Sequence, residues 1–267
     1  MFVFDISTRF ACSTLLFRSL SLDDTLAALA KTKLSYVDLW STPGSLMHVD
    51  PDRDSASEIK AKLADHNLRP SSISAHATFS SDLVKRLDFA AAIGAPLVIG
   101  TAPVREYERR EASDDIRALG RAAQDRGVTL ALANQVGTWL DEPSEISSFL
   151  DDVGHPRVTL SLTPPHARLA GTTLRAVLEA AGNRLGNVCL WSVSPSITSV
   201  DAMGPGEDQV PGNGTVDFRA ITSMLDNRSY FGMFTFVWNG TQDWTIAQTL
   251  SHVEKARQHV LEVAKAS

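Results

Sequence analysis

The chain has 267 residues, of which 43% are hydrophobic, and it carries a net charge of −6. This composition is typical of a folded protein with a sizeable core, and it is unlike that of a disordered chain. The acidic balance argues against a broad nucleic-acid-binding or anionic-membrane-binding surface, and no stretch approaches the ~18 consecutive apolar residues that a membrane span needs.

The amino terminus and the cysteines indicate in which cellular compartment the protein is expected. The segment MFVFDISTRF lacks the basic stretch and long apolar run of a secretory signal. Cys12 and Cys189 lie far apart in the sequence and form no CxxC pair, so we expect neither a disulfide framework nor a structural zinc site. A reducing, cytoplasmic setting is therefore expected.

Short apolar runs alternate with helix-like stretches along the chain. Strands are predicted at 2–7, 36–40, 71–77, 96–100, 128–134, 157–162, 187–193 and 232–238. Helices are predicted at 21–32, 55–67, 80–94, 113–127, from 143 onward, at 172–183, at 217–227 and from 243 onward. Ser21 is the predicted N-cap of the first helix, and Gly94 is expected to end the third.

Eight strand–helix units of this kind predict one fold above others. The strands are mostly continuous apolar runs, which suit parallel strands covered on both faces. Parallel neighbours need helical crossovers, and eight such units predict a single (β/α)₈ TIM barrel, with residues 1–267 forming one domain. A doubly wound open sheet is the alternative, but no GxGxxG motif follows the first strand.

In barrel enzymes the active site lies at the carboxyl ends of the strands. The predicted mouth is aromatic and polar but nearly uncharged. It comprises Ser7, Arg9, Trp40, His76, Thr101, Asn134, Gln135, Thr163, His166, Cys189, Trp191, Ser192, Trp238 and Asn239.

The predicted mouth residues have both functional and structural interpretations. His76 is a candidate general acid or base, or else a hydrogen-bonded histidine without a chemical role. The other candidates are assigned to substrate binding, each with a structural alternative where one exists. Trp40, Trp191 and Trp238 would form a stacking wall or fill the core, Asn134 and Gln135 would bind substrate hydroxyls or cap turns, and Arg9 would join them in the pocket.

Several segments resemble the strand ends of one family. SSISAHA looks like its S-x-H strand end, and VTLALANQ is similar to its L-A-L-E-N-H strand. RVTLSLTPPHA is similar to a strand where Asp and His stand three residues apart, and NVCLWS to V-H-L-x-D. The last segment, from VPGNGTVDF to TFVW, is similar to a glycine turn, V-D-F, a helix and a Tyr-x-Gly strand that ends in Glu. Over essentially its whole length the chain thus resembles the sugar phosphate isomerase/epimerase family of xylose isomerase-like TIM barrels, in the AP endonuclease 2 superfamily.

The resemblance implies one divalent metal ion held by Glu, Asp, His and Glu on strands five to eight. The matching positions hold Ala133, Thr163, Cys189 and Val237. None offers the carboxylate oxygens that Mg²⁺ and Mn²⁺ prefer. Two family-like histidines are present, His76 and His166, but two histidines alone make a poor zinc site. We therefore predict no metal and no other cofactor.

These features favour a divergent, metal-independent isomerase, epimerase or derived lyase that acts on a small sugar or keto-acid-type metabolite. His76 and His166 would exchange protons beside a carbonyl group. The alternative is a non-catalytic metabolite-binding protein, or a partner subunit of an active metal-dependent paralogue. A conventional metal enzyme with ligands elsewhere is a third hypothesis. The expected partner is a small-molecule substrate, not nucleic acid or a membrane, while assembly with a second copy or a paralogue stays open.

Overall fold

A computed structural model describes residues 5–76, 80–199 and 202–265 and contains a closed barrel of eight parallel strands. The strands are β1 Phe10–Ser13, β2 Tyr36–Trp40, β3 Arg69–Ser74, β4 Leu97–Thr101, β5 Thr129–Ala133, β6 Val158–Leu162, β7 Leu185–Leu190 and β8 Met233–Phe236. Each strand pairs with the next, and β8 closes the barrel on β1 through the register Phe10↔Phe234. The predicted TIM barrel is confirmed.

Helices connect successive strands and cover the outside of the barrel, as parallel pairing requires. They are α1 Leu22–Leu29, α2 Ala56–Asp65, α3 Ser80–Ile93, α4 Arg109–Asp125, α5 Pro143–Val153, α6 Pro164–Leu169, α7 Leu174–Ala181, α8 Phe218–Asp226 and α9 Ile246–Lys265. Among these described helices, none combines the length and apolar character needed to cross a membrane.

Local sequence signals account for several helix ends. The Ser21 hydroxyl accepts a hydrogen bond from the Asp24 backbone N–H, as expected of an N-cap, and Asp23 and Asp24 lie where the helix dipole favours acids. Helix α3 ends before Gly94, whose φ of 83° is a conformation that glycine adopts without steric cost. Pro143 opens α5, where its missing N–H removes no helical hydrogen bond.

The position predicted for the first strand is wrong. Residues 2–4 lie outside the described residues, and the rest of the predicted strand, at 5–7, is not extended in the sheet. The strand is instead β1, where Phe10 stacks on Phe236 with ring centroids 5.3 Å apart. The segment FACS is apolar enough for a strand covered on both faces, whereas Asp5 is exposed.

Smaller differences concern the ends of other elements. Strand β3 ends at Ser74, so His76 follows the strand, and the final residue of the predicted strand, Ala77, lies outside the described residues. Helix α4 begins four residues earlier than predicted because the Glu108 carboxylate caps the backbone N–H groups of Arg110 and Glu111. Helix α6 was not predicted; it begins at the two prolines after β6.

Polar side chains join neighbouring strands inside the barrel. The hydroxyls of Ser72 and Ser74 donate to the Asp38 carboxylate at 2.7 and 2.8 Å. On the other side, Thr235 donates to the Asn187 amide oxygen at 2.9 Å. Burial raises the pKa of Asp38, while its serine partners oppose that shift. Asp38 therefore orients its neighbours within the barrel.

Candidate active site

Two aromatic rings stand together at the carboxyl ends of β2 and β3. Trp40 ends β2 and His76 follows β3, and their ring centroids lie 5.0 Å apart. The Trp40 Nε1–H is buried and has no hydrogen-bond partner among the described residues. Because an indole N–H can only donate, this group is free to donate to an oxygen of a bound molecule.

Hydrogen bonds link His76 to polar side chains at the ends of the next two strands. Its Nδ1 lies 3.3 Å from the hydroxyl oxygen of Thr101, the last residue of β4. The Thr101 hydroxyl in turn donates to Oε1 of Gln135, just beyond β5, at 3.3 Å. Three consecutive strand ends are therefore linked by one chain of side-chain hydrogen bonds.

A second pair of rings comes from the opposite side of the barrel. His166 lies in α6, after β6, and its ring meets Trp191 edge-on with centroids 6.4 Å apart. His166 is only 9% exposed, and its Nδ1 is buried without a partner in the described part of the chain. The Nδ1 atom is therefore able to bond to a molecule placed between the two pairs of rings.

Both imidazoles are neutral at physiological pH. Burial lowers the pKa of His76 to about 4, and repulsion from a protonated His166 adds to this shift. Burial alone lowers the pKa of His166 to about 4. A neutral imidazole carries one N–H donor and one basic lone pair, so each histidine is able to accept a proton and to donate a hydrogen bond.

Trp191 is held by Gln209, a residue that the sequence did not single out. The Trp191 Nε1–H donates to Gln209 Oε1 at 2.9 Å, and the backbone N–H of Asn239 donates to the same oxygen at 3.1 Å. The Gln209 amide N–H donates to the Gly204 carbonyl at 2.9 Å. Gln209, which is 1% exposed, therefore ties the loop after β7 to the loop after β8.

The same two loops touch backbone to backbone. A Cβ atom placed on Gly206 would lie 2.4 Å from the carbonyl oxygen of Gly240, and Gly240 itself has a φ of 79°. Only residues without a side chain fit this crossing.

Three residues predicted to bind substrate occupy other places. Arg9 precedes β1 and so lies at the amino end of the barrel, where its guanidinium donates to the Tyr230 carbonyl and lies over the Phe234 ring. This placement follows from the corrected position of β1. Asn134 and Trp238 are both fully buried.

The buried Asn134 and Trp238 have structural contacts. The Asn134 amide accepts from the backbone N–H of Thr163 at 2.6 Å and donates to its carbonyl at 3.2 Å, which joins the ends of β5 and β6. Trp238 belongs to the same apolar cluster as Phe10 and Phe236. It therefore fills the core, which was the structural alternative for this residue.

The positions that correspond to the family's metal ligands do not fit a hard divalent ion. Ala133 and Val237 carry no donor atom, and Thr163 offers only a hydroxyl. Burial raises the pKa of the Cys189 thiol to about 11, and this thiol contacts the hydroxyls of Ser161 and Thr163. Sulfur is also a soft ligand, whereas Mg²⁺ and Mn²⁺ prefer carboxylate and carbonyl oxygens. Within the described ranges, no three His, Cys, Asp or Glu residues are grouped to hold a metal ion.

The closed barrel, with helices that connect its parallel strands, places the protein among (β/α)₈ barrels. The chain belongs to the family of xylose isomerase-like TIM barrels, whose model matches residues 26–262.

Individual relatives match only part of the chain, at low sequence identity. The inosose dehydratase of Klebsiella pneumoniae (strain 342) is 28% identical over 171 residues, which are 60% of this chain and 56% of that protein. The matched region thus spans less than two thirds of that relative's length.

Solved structures support the fold over nearly the whole chain. The IOLI protein with a bound zinc atom has a TM-score of 0.78 at 15% identity, covering 97% of this chain and 98% of that one. D-allulose 3-epimerase from Methylomonas sp. has a TM-score of 0.73 at 19% identity, covering 97% and 100%. At this level of identity, the likeness concerns the fold.

Proposed function

We propose that the protein is a metal-independent enzyme of the isomerase or epimerase type, or a lyase derived from it, that acts on a small sugar or keto-acid-type metabolite. The observation that carries this proposal is the pair of neutral imidazoles, His76 and His166, each beside a tryptophan at the carboxyl face of the barrel. The names of the relatives, a dehydratase of a cyclic sugar ketone and a ketose epimerase, support a carbonyl-bearing, polyhydroxylated substrate.

The proposed chemistry is proton transfer next to a carbonyl group. Nε2 of His76 takes a proton from the carbon beside the carbonyl, and the electron pair of that C–H bond moves onto the carbonyl oxygen. An N–H of neutral His166 donates a hydrogen bond to this oxygen, as a neutral imidazole does without itself becoming charged. For an isomerisation, His76 delivers the proton to the former carbonyl carbon, while the hydroxyl proton on the neighbouring carbon passes to the former carbonyl oxygen, and His76 is restored. An epimerisation instead requires the proton to return to the opposite face of the same carbon.

The surrounding side chains position the substrate. The free Trp40 N–H is suited to a substrate hydroxyl, and the faces of Trp40 and Trp191 suit the C–H faces of a sugar ring. Both cysteines are free and buried, which agrees with the reducing, cytoplasmic setting that we propose.

A ligand screen followed by substitution tests this proposal. Neutral sugars, inososes and keto acids are screened by thermal shift with and without EDTA, and compounds that bind are assayed for turnover. His76→Ala is expected to abolish turnover, because the base is removed. His66→Gln, which changes a histidine at the end of α2 near the start of β3, and so at the amino end of the barrel, serves as the control. Unchanged turnover in His76→Ala contradicts the proposed role.

A non-catalytic role is the second candidate, because all four family ligand positions are replaced at once. In that case the protein binds a metabolite or partners an active metal-dependent paralogue. Co-purification with a metal-containing relative, together with an inactive isolated chain, supports this alternative. Turnover by the isolated, EDTA-treated chain rules it out.

A further inference from the structure

The hydrogen bonds between His76, Thr101 and Gln135 determine where the protons lie. The Thr101 hydroxyl has a single hydrogen. Its oxygen lies 3.3 Å from Nδ1 of His76 and 3.3 Å from Oε1 of Gln135. An amide oxygen only accepts, so the Thr101 hydrogen points to Gln135. The hydroxyl oxygen then has only lone pairs to offer His76, and Nδ1 of His76 must carry the proton.

We infer that Thr101 and Gln135 are positioning residues that hold His76 in its Nδ1–H tautomer, so that Nε2 carries the lone pair. This inference rests on the proposed function only in giving that lone pair the role of a base. Nε2 has no protein partner in the described part of the chain, whereas Nδ1 is engaged. A histidine in the other tautomer would offer the substrate an N–H instead of a lone pair.

Two further observations show that the orientation of His76 is closely constrained. Its backbone φ is 20°, a value uncommon for a residue other than glycine. Its ring is also packed against Trp40, while Thr101 is only 5% exposed. Uncommon backbone conformations of this kind cluster at functional sites, where the surrounding structure holds them in place.

The chain offers a matched pair of variants for a test. Thr101→Val keeps the shape of the side chain and removes the hydroxyl, whereas Thr101→Ser keeps the hydroxyl. In protein with ¹⁵N-labelled histidine, long-range ¹H–¹⁵N spectra at neutral pH report which ring nitrogen is protonated, and His76 is assigned from the signal that is lost in His76→Gln. We expect His76 to be Nδ1–H in the wild type and in Thr101→Ser, and to shift towards a mixture of tautomers in Thr101→Val and in Gln135→Leu.

The result that would overturn the inference is an Nε2–H tautomer in the wild type, or an unchanged tautomer in folded Thr101→Val. Once a substrate is found, Thr101→Val should lower kcat by about tenfold or more and leave KM nearly unchanged, since Thr101 acts through His76 and not on the substrate. The two proposals fail separately. If the Nδ1–H tautomer depends on Thr101 but the protein has no turnover, the proposed enzymatic function is refuted. If turnover requires His76 but not Thr101, the positioning role of Thr101 is refuted.

Discussion

His76 and His166 are held uncharged by their surroundings, and this has a consequence for stability. Each pKa is lowered to about 4 in the folded state, against an ordinary value near 6.5. The unfolded chain therefore takes up protons as the pH falls below 6.5, while the folded protein takes them up only near 4. The associated stability is complete above pH 6.5 and is lost between 6.5 and about 4.

We accordingly expect the free energy of unfolding to fall by about 2 kcal/mol per histidine between pH 7 and pH 5. Urea titrations at the two pH values measure this difference. In the double variant His76→Gln/His166→Gln the contribution of these two histidines should disappear. The pH dependence that remains then comes from the other titrating groups. Asp38, with its raised pKa, contributes in the opposite direction in both proteins, so it cancels in the comparison. An equal pH dependence in the double variant would show that these imidazoles ionise normally.

Individual site residues were predictable only where the position of a strand end was predicted correctly, since barrel active sites lie at the carboxyl ends of the strands. The predicted strand ends correctly located Trp40, which ends β2, and His76, which follows β3, because both predicted strands overlap the observed ones. It misplaced Arg9, because residues 1–13 contain two apolar runs and the strand is formed by the second of them. The role of Asn134 depends on a backbone group of the next strand, and no local pattern reveals such a contact.

At the scale of whole elements, the loops after β7 and β8 are joined by a single buried side chain. Gln209→Leu removes the acceptor for both Trp191 Nε1 and the Asn239 backbone N–H. We expect this change to lower the free energy of unfolding by about 2–4 kcal/mol, since each unpaired buried donor costs about 1–3 kcal/mol. Urea unfolding measures the effect.

Gln124→Leu, on the exposed face of α4, is the control and should change stability little. Equal stability of the two variants would mean that water replaces Gln209 at no cost.

The elements themselves were largely predictable. Strand β2 occupies the predicted residues 36–40, and the capped or proline-initiated helices begin where their signals stand. Apart from β1, most other strand ends lie one to three residues from the predicted positions. The reason is that a strand ends where its hydrogen bonds to the neighbouring strand end, and not where the apolar run ends. The contact of Gln209 with Trp191 was not predictable, since Gln209 lies in a loop rich in glycine and proline that shows no helix or strand periodicity.

At the scale of the whole molecule, the lack of a group of metal-ligating side chains among the described residues predicts that divalent ions do not stabilise the protein. A ligand present at about 100 times its Kd stabilises a protein by about 2.7 kcal/mol, a shift that thermal unfolding detects readily. We expect millimolar Mg²⁺ or Mn²⁺ to change Tm by less than about 1 °C. Elemental analysis of protein purified without added metal should likewise find no stoichiometric ion. One equivalent of Mn, Mg or Zn, with activity lost on chelation, would establish the third hypothesis, a conventional metal enzyme.

The contact between Gly206 and Gly240 limits how this barrel could be altered by directed evolution. Any side chain at position 206 would force apart the two crossing segments, and with them the support beneath Trp191. Combinatorial libraries that seek a new substrate range should therefore leave both glycines untouched and randomise Trp40 and Trp191. Diversity introduced at the crossing would be lost to misfolded members before selection could act on it.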